Sequence, residues 1–232
     1  MSQIAKCGTR PNNTQDNMTK KILASFYLLL FSQVVWAQNP FDEEVAQIQK
    51  KYKAAALVHP PIVFTGSSSV RMWPNLKDLA PAQRVLNTGF GGSQARDLLH
   101  FKEKLILQYK PKQVFIYEGD NDLFAGQSPR SVLRRTKRIF RAIKRQNKNT
   151  KVVLIAAKPS ISRWHLKEKY LRLNRLFKQW AAKKQQIGYA DIWSPMLKDG
   201  KLIKSLFISD GLHMNEDGYK IWEAVISPMI LK

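Results

Sequence analysis

Short apolar runs alternate with longer helix-like segments along most of this chain, and this alternation constrains the fold more than any other feature. Each run carries β-branched or aromatic residues and has the length of a buried strand. We predict five strands, at residues 61–66, 84–88, 113–117, 151–157 and 187–191. Helical patterns cover about 41–57, 94–108, 129–147 and 163–185, and a closing helix that Pro228 bends or interrupts covers about 216–231. Strands that alternate with helices form βαβ units, so we expect an α/β protein with a five-stranded parallel sheet covered on both faces.

The N-terminal segment has the order of a secretory signal, with a basic pair, an apolar run and a small residue at the cleavage site. Lys20-Lys21 precedes the apolar run 22–35, and Ala37 is followed by Gln38. The run has 14 residues, from 22 to 35, whereas a membrane-spanning helix needs roughly 20. We therefore expect cleavage after Ala37 and a secreted or periplasmic protein, with an uncleaved membrane anchor as the alternative.

The same segment sets the domain boundaries. Residues 1–17 are polar and stand oddly before a signal peptide, so Met18 is a second candidate for the start of translation. We assign residues 1–37 to the polar leader and signal peptide, and residues 38–232 to one domain. The sole cysteine is Cys7, so the mature domain has no disulfide and must be stabilised by its hydrophobic core.

The residues best suited to catalysis lie in loops. In open α/β sheets, ligands bind at the carboxyl ends of the strands. Three of the loops there and one near the C-terminus supply a nucleophile, a flexible backbone donor, a side-chain amide and an acid with a histidine. These are the parts of an acyl-transfer site. The four segments are Gly66-Ser67-Ser68-Ser69, Gly89-Phe90-Gly91-Gly92, Glu118-Gly119-Asp120-Asn121-Asp122 and Asp210-Gly211-Leu212-His213.

These four segments, in this order, resemble the sequence blocks of the SGNH hydrolases, also called the GDSL esterase/lipase superfamily. The resemblance covers nearly the whole predicted domain and implies a flavodoxin-like three-layer α/β/α sandwich. Carried over position by position, it implies Ser68 as the nucleophile, with Asp210 and His213 as its acid and base. It also implies an oxyanion hole made by the backbone of Ser68, the backbone of Gly92 and the side chain of Asn121.

One position departs from the family pattern. Ser67 stands where the name-giving aspartate of the first block would be, and Ser69 with Val70 replaces the usual Leu or Ile. That aspartate is not the family's catalytic acid, so the departure concerns the substrate subtype. The Gly-Phe-Gly-Gly loop and the spacing of the third block resemble those of the branch that includes platelet-activating-factor acetylhydrolase subunits and bacterial sugar-ester acetylesterases.

The chemistry of these side chains supports the same roles without reference to the family. A serine hydroxyl needs a general base, and histidine is the side chain that most readily exchanges a proton near neutral pH. Asp210 can orient the ring of His213 and stabilise its protonated form. The backbone N–H groups of Ser68 and Gly92 and the amide of Asn121 can bind the oxyanion that forms on the ester carbonyl.

Simpler interpretations compete at several positions. Asp97 and His100 have the same spacing as the predicted acid–base pair, but they lie within a predicted helix, where a surface or packing role is expected. Ser69 is a candidate cap for the helix that follows the first strand. The acids of the third block lack the spacing of a calcium loop and have no adjoining histidine or cysteine, so we expect no metal and no organic cofactor.

Positive charge is concentrated in the middle of the chain. The formal net charge is +22, and residues 130–184 contain 19 Lys and Arg against a single acid, Glu168. Apolar stripes at helical spacing should face the sheet and leave the basic residues in water. The alternative is attraction to an anionic polymer or lipid surface. We do not expect nucleic acid as a partner of an exported protein.

Together these features predict a secreted serine hydrolase that cleaves carboxylic esters, with short acyl groups such as acetyl, on a small molecule or a glycan. A lysophospholipase or thioesterase of the same superfamily is the enzymatic alternative. A non-catalytic surface protein that binds polyanions is the alternative from another class.

Overall fold

A five-stranded parallel sheet forms the centre of the computed structural model, which describes residues 39–53 and 59–231. The sheet order is β2-β1-β3-β4-β5, and all neighbouring strands are parallel. The strands are β1 (Ile62–Gly66), β2 (Val85–Gly89), β3 (Gln113–Tyr117), β4 (Lys151–Ile155) and β5 (Ile187–Ala190). The predicted five-stranded parallel sheet is therefore confirmed, although β4 ends two residues earlier than expected.

Helices cover both faces of this sheet and complete a three-layer α/β/α sandwich. In one layer, the helices before β1 and after β2, β3 and β4 pack side by side; in the other, the C-terminal helix packs with the short helix after β1. The long helices are α1 (Asp42–Lys51), α3 (Ala95–Leu105), α5 (Pro129–Gln146), α6 (Lys167–Ala181) and α7 (Glu216–Ile226), and the short ones are α2 (Ser68–Arg71) and α4 (Asp120–Phe124).

The apolar stripes of the basic stretch face the core as expected. Val132, Ile139 and Ile143 of α5 are buried, as are Leu173 and Phe177 of α6. Most of the basic residues on these two helices remain exposed or half-buried. The helix pair thus has one apolar and one strongly basic face.

Several predicted helix ends are wrong by a few residues. The predicted helix 163–185 begins only at Lys167, after a 3-10 turn at Trp164–Leu166, and it ends at Ala181. The closing helix ends at Ile226 because Pro228 lacks the N–H that a continuing helix requires, and it lies in a 3-10 turn at Ser227–Met229. The helical pattern at 41–57 gives α1, while residues 54–58 lie outside the described ranges.

Among the α-helices and β-hairpins of the described residues, two elements were not predicted from the sequence. One is α4, and the other is a small antiparallel hairpin of β6 (Leu197–Lys198) and β7 (Lys201–Leu202). The hairpin turns at Asp199 and Gly200, which both have positive φ (52° and 72°). This is the backbone conformation of a tight two-residue turn.

The predicted signal segment, residues 1–37, lies outside the described residues. Among the helices of residues 39–53 and 59–231, none combines the length and apolarity needed to cross a membrane. The part of the chain from Pro40 onward forms one compact unit.

Candidate active site

Ser68 stands at a sharp turn where β1 meets α2. Gly66, the last residue of β1, has φ of +127°, and a Cβ placed on it would lie 1.9 Å from the carbonyl oxygen of Tyr117. Only glycine fits there, because any side chain would enter the backbone of β3. The Ser67 N–H donates to the same Tyr117 oxygen at 3.2 Å, which fixes the turn. Ser68 then becomes the first residue of α2.

The three adjacent serines differ in exposure. Ser67 and Ser69 are each only 2% exposed, whereas Ser68 is half-buried and reaches the surface. The expected cap role of Ser69 is wrong, because Ser67 occupies the N-cap position of α2 and no side chain caps it. Of the three hydroxyl groups, that of Ser68 is accessible to a substrate.

A chain of hydrogen bonds links Ser68 to His213 and Asp210. Ser68 Oγ lies 2.8 Å from His213 Nε2, and His213 Nδ1 lies 2.6 Å from Asp210 Oδ2. The other carboxylate oxygen of Asp210 accepts the backbone N–H groups of Leu212 (2.8 Å) and His213 (2.9 Å). The structure therefore brings together all three residues of the predicted triad.

The carboxylate of Asp210 is held in its ionised form. Partial burial raises its pKa, but the hydrogen bond with His213 and the two backbone N–H groups outweigh burial and lower the pKa from 3.8 to about 2. A negative charge beside Nδ1 keeps the proton of a neutral ring on that atom and leaves Nε2 free to accept from Ser68. This is the orientation that a general base requires.

The two other predicted oxyanion-hole residues follow the strands that flank β1. Gly92 follows β2 with φ of +74°, and Asn121 follows β3 as the second residue of α4. The loops are tied together, because the Phe90 N–H donates to the Gly66 carbonyl (2.8 Å) and Asn121 Nδ2 donates to the Ser93 carbonyl (2.9 Å). An amide nitrogen has two hydrogens, so that of Asn121 keeps one donor for a further acceptor.

A buried ionic cluster around Asp120 was missed by the sequence analysis. Its carboxylate accepts hydrogen bonds from Tyr117 (3.0 Å), Tyr170, Lys158 (3.4 Å) and Arg163 (2.5 Å). Burial raises the pKa of Asp120, but the positive charges of Lys158 and Arg163 outweigh burial and lower it from 3.8 to about 2. Asp120 is thus a buried anion with two cationic partners and two hydroxyl donors.

This cluster contacts the candidate site at two points. Arg163 Nη1 also donates to Asn121 Oδ1 at 3.0 Å, so the Asn121 amide is held at both its oxygen and its nitrogen. Lys158 Nζ donates to the carbonyl of Leu212 at 2.6 Å, directly before His213. Both cations come from the loop after β4, whose position at the carboxyl edge of the sheet was the available signal.

The remaining acids of the third block have separate partners. Glu118 accepts the Ser93 hydroxyl at 2.8 Å, and Asp122 accepts the N–H of Ala95 at 2.9 Å. Burial is the main cause that raises the pKa of Glu118 well above 4.5, and the charge of Asp122 adds to it. Across residues 39–53 and 59–231, no group of three or more His, Cys, Asp or Glu residues has the arrangement of a metal site.

The second Asp–His pair has the structural role that the sequence favours. Asp97 Oδ2 accepts the backbone N–H of Gln94 at 2.9 Å and so caps the start of α3. The ring of His100 packs edge-on against Phe101, with 4.6 Å between ring centroids. The two side chains do not form an acid–base pair.

Fold and site together define a class of α/β hydrolases with a serine, a histidine and an aspartate at the carboxyl edge of the sheet. A family model for the GDSL-like Lipase/Acylhydrolase family matches residues 60–221. The chain therefore belongs to this family and is a carboxylic ester hydrolase. The four sequence blocks are all contained in the matched region.

Solved structures share this fold, and 79 chains match. A Streptococcus pneumonia protein provisionally described as a platelet activating factor has a TM-score of 0.71 and 21% identity, with 92% of this chain and 98% of that chain covered. A GDSL-like lipase from Bacteroides thetaiotaomicron has a TM-score of 0.66 and 21% identity, with 80% of this chain and 97% of that chain covered. A carbohydrate esterase family 3 protein from Talaromyces cellulolyticus has a TM-score of 0.62 and 15% identity, with 74% of this chain and 96% of that chain covered. The curated proteins give no match.

Proposed function

We propose that this protein is a secreted serine hydrolase that cleaves short-chain carboxylic esters through Ser68, His213 and Asp210. The observation that carries this proposal is the 2.8 Å hydrogen bond between Ser68 Oγ and His213 Nε2. It joins the one accessible hydroxyl of the first block to a ring that Asp210 orients from the other side. These are the contacts that turn a serine into a nucleophile.

The reaction follows from these contacts. His213 Nε2 takes the proton of Ser68 as Oγ attacks the ester carbonyl, and Asp210 stabilises the protonated ring. The resulting oxyanion accepts from the backbone N–H groups of Ser68 and Gly92 and from Asn121 Nδ2. His213 then gives its proton to the leaving alcohol and leaves an acyl group on Ser68. A water molecule, activated by the same ring, releases the acid and restores the enzyme.

We further propose that the acyl group is short, with acetyl esters of carbohydrates as the substrates. The Gly89–Gly92 loop supports this choice through its resemblance to the acetylesterase branch, and one similar structure is described as a carbohydrate esterase. A lysophospholipase or thioesterase would require room for a long acyl chain or a thiol ester. Turnover of 4-nitrophenyl acetate against 4-nitrophenyl octanoate separates short-chain from long-chain activity, and the proposal requires the acetyl ester to be faster.

Labelling with a serine-directed phosphonate tests the mechanism. We expect Ser68→Ala to abolish both turnover and labelling while the melting temperature stays nearly unchanged. Ser67→Ala and Ser69→Ala are the matched controls, because they remove neighbouring hydroxyl groups and should retain labelling. An adduct located on Ser67 or Ser69 by mass spectrometry would contradict the assignment of Ser68. Absence of any adduct on active enzyme would exclude a serine mechanism.

Export is proposed on the sequence of the leader. The N-terminal residue of the secreted protein should be Gln38, or its cyclised form, and the mass should lack residues 1–37. Recovery of the full-length chain in the membrane fraction would instead support an uncleaved anchor.

We also propose that the basic helical face attracts an anionic polymer outside the cell. A cavity of about 520 Å³ between α3 and α5 supports this proposal, because five cationic side chains line it and no carboxylate does. Positive charge in a concave site raises the local potential and attracts polyanions. Co-sedimentation with an insoluble anionic polysaccharide, at low and high salt, tests the idea. The cationic residues are Arg96, Lys102, Arg138, Arg141 and Arg145.

A further inference from the structure

A second cavity lies beside the catalytic loop, and we call it the lysine cavity. Its volume is about 590 Å³. The loop after β4 forms one side through Ile161 and Trp164, the first residue of α6 adds Lys167, and the β6–β7 hairpin with the turn that follows it adds Lys201 and Lys204.

The lysine cavity shares a wall with the loop that carries the catalytic acid and base. Ile161 lies against that loop, since a Cβ placed on Gly211 would be 3.2 Å from the Cβ of Ile161. The N–H of Ser162 also donates to the Gly211 carbonyl at 3.1 Å. On the other side, the segment after Lys204 pairs with the loop, because the Ile208 N–H donates to the His213 carbonyl at 3.0 Å. The lysine cavity and the loop that carries Asp210 and His213 therefore share Ile161 as a wall.

The lining combines positive charge with an apolar wall. Within residues 39–53 and 59–231, Lys167, Lys201 and Lys204 form no salt bridge, and no carboxylate lines the cavity. The Nζ of Lys167 lies over the Trp164 ring, 5.6 Å from its centroid. Ile161 is 40% exposed. Trp164 is fixed by a parallel stack on Trp193, with 6.1 Å between ring centroids and an interplanar angle of 11°.

We propose that the lysine cavity binds the alcohol part of the ester, and that this part is a sugar ring bearing a negative charge. The inference rests on the proposed function, because it names the substrate class of the same active site. The apolar face of a sugar ring suits the wall of Ile161 and Trp164, and a carboxylate or phosphate on the ring suits the three lysines.

A hydrocarbon chain is a poor occupant of this cavity. It would fill the apolar wall but displace water from Lys167, Lys201 and Lys204 without giving these ammonium groups a counter-charge. An anionic sugar offers both a surface for the wall and a counter-charge for the lysines. Because the ammonium groups are exposed, each contact is modest in strength and is weakened by salt.

The test compares two acetyl esters that differ in one group. The first is the mono-acetylated methyl glucuronoside, and the second is the matched methyl glucoside with a hydroxymethyl group in place of the carboxylate. We expect kcat/KM to be at least about 10-fold higher for the glucuronoside at low salt, because its carboxylate contacts more than one exposed lysine. The preference should shrink in 0.5 M NaCl. The acetylated glucoside 6-phosphate serves as a third arm that tells carboxylate from phosphate recognition.

Charge variants localise the effect. In Lys201→Gln and Lys204→Gln, the ratio of kcat/KM for the anionic sugar over the neutral sugar should fall about 3- to 5-fold for each change. In Lys201→Glu the ratio should fall further. The matched controls are Lys183→Gln and Lys184→Gln, which remove the same charge from exposed positions outside the cavity. The controls should keep the ratio of the unchanged protein.

The outcomes separate this inference from the function beneath it. If 4-nitrophenyl acetate is not hydrolysed, the proposed function fails, and the inference fails with it. If that ester is hydrolysed but the two sugar esters react equally, only the lysine cavity assignment is overturned. Equal loss of the ratio in the Lys183 and Lys184 controls would show an effect of net charge and would also overturn it. A preference for octanoyl esters that Lys201→Glu abolishes would assign the cavity to the acyl chain and overturn the inference.

Discussion

Replacement of Arg163 by Met tests whether the buried cluster positions the oxyanion-hole amide. The guanidinium of Arg163 donates to Asn121 Oδ1 at 3.0 Å and to Asp120 Oδ1 at 2.5 Å. Met keeps much of the apolar volume of the stem but removes both bonds. The Asn121 amide then keeps its bond to the Ser93 carbonyl but loses the partner that fixes its oxygen.

The magnitude follows from the type of bond that is lost. A hydrogen bond from a charged donor contributes roughly 1.5–3 kcal/mol. If that energy maintains the orientation of Asn121, kcat should fall about 10- to 100-fold, because each 1.4 kcal/mol is a factor of ten. KM should change little, since the amide binds a charge that exists only in the transition state. Asn121→Ala removes the donor itself and should lower kcat by about 10²- to 10³-fold.

A double-mutant cycle on 4-nitrophenyl acetate hydrolysis decides the matter. If Arg163 acts through Asn121, Arg163→Met should lower kcat no further once Asn121 is already Ala. Arg135→Met is the matched control, because Arg135 lies 3.9 Å from the buried carboxylate of Asp122 and does not contact Asn121. Additive losses of kcat in the double variant would refute the argument. So would an equal loss of kcat in Arg135→Met.

Three further changes probe the structure around the site. Glu118→Gln should raise the melting temperature at pH 8 and leave it unchanged below pH 4.5. Folding raises the pKa of Glu118 well above 4.5, so the unchanged protein loses stability as the pH rises from 4.5 through that raised pKa, and the Gln variant does not. Equal melting temperatures of the two proteins at pH 8 would contradict this prediction. Gly66→Ala should reduce the free energy of unfolding by about 2–4 kcal/mol in urea titrations, since its Cβ would meet the Tyr117 carbonyl at 1.9 Å. Asp210→Asn should lower kcat by about 10²- to 10⁴-fold with the fold intact, through loss of the charge beside His213; a smaller loss in esterase assays would mean that the ring needs no acid.

The sheet was predictable because its signal is local. Each strand is an apolar run with a β-branched or aromatic core, and four of the five both begin and end within one residue of the prediction. The β6–β7 hairpin has two residues per strand and a mixed polar sequence, so it has no periodicity to detect. The end of α6 was predicted too late because helical propensity continues into residues 182–185, whereas the last turn there is not α-helical.

The candidate triad was predictable, but its supporting cluster was not. Glycine-framed loops at the carboxyl edge marked Ser68 and His213 in the sequence. By contrast, Lys158 and Arg163 belong to a stretch whose charges pointed to a solvated face, yet both are buried. Their partner Asp120 is 38 and 43 residues away. Pairing between residues so far apart in the sequence depends on the three-dimensional fold, and patterns in a single sequence do not predict it.

The 145-residue separation between Ser68 and His213 couples catalysis to the completion of folding. The two ends of the domain are also tied directly, because the Tyr219 hydroxyl donates to the Ser69 carbonyl at 3.0 Å. Closing so long a loop is entropically costly and comes after local helices and adjacent strand pairs have formed. A chain emerging from the ribosome thus carries its nucleophile long before its base, and it cannot turn over esters during synthesis. Ester turnover is therefore a direct reporter of the finished domain.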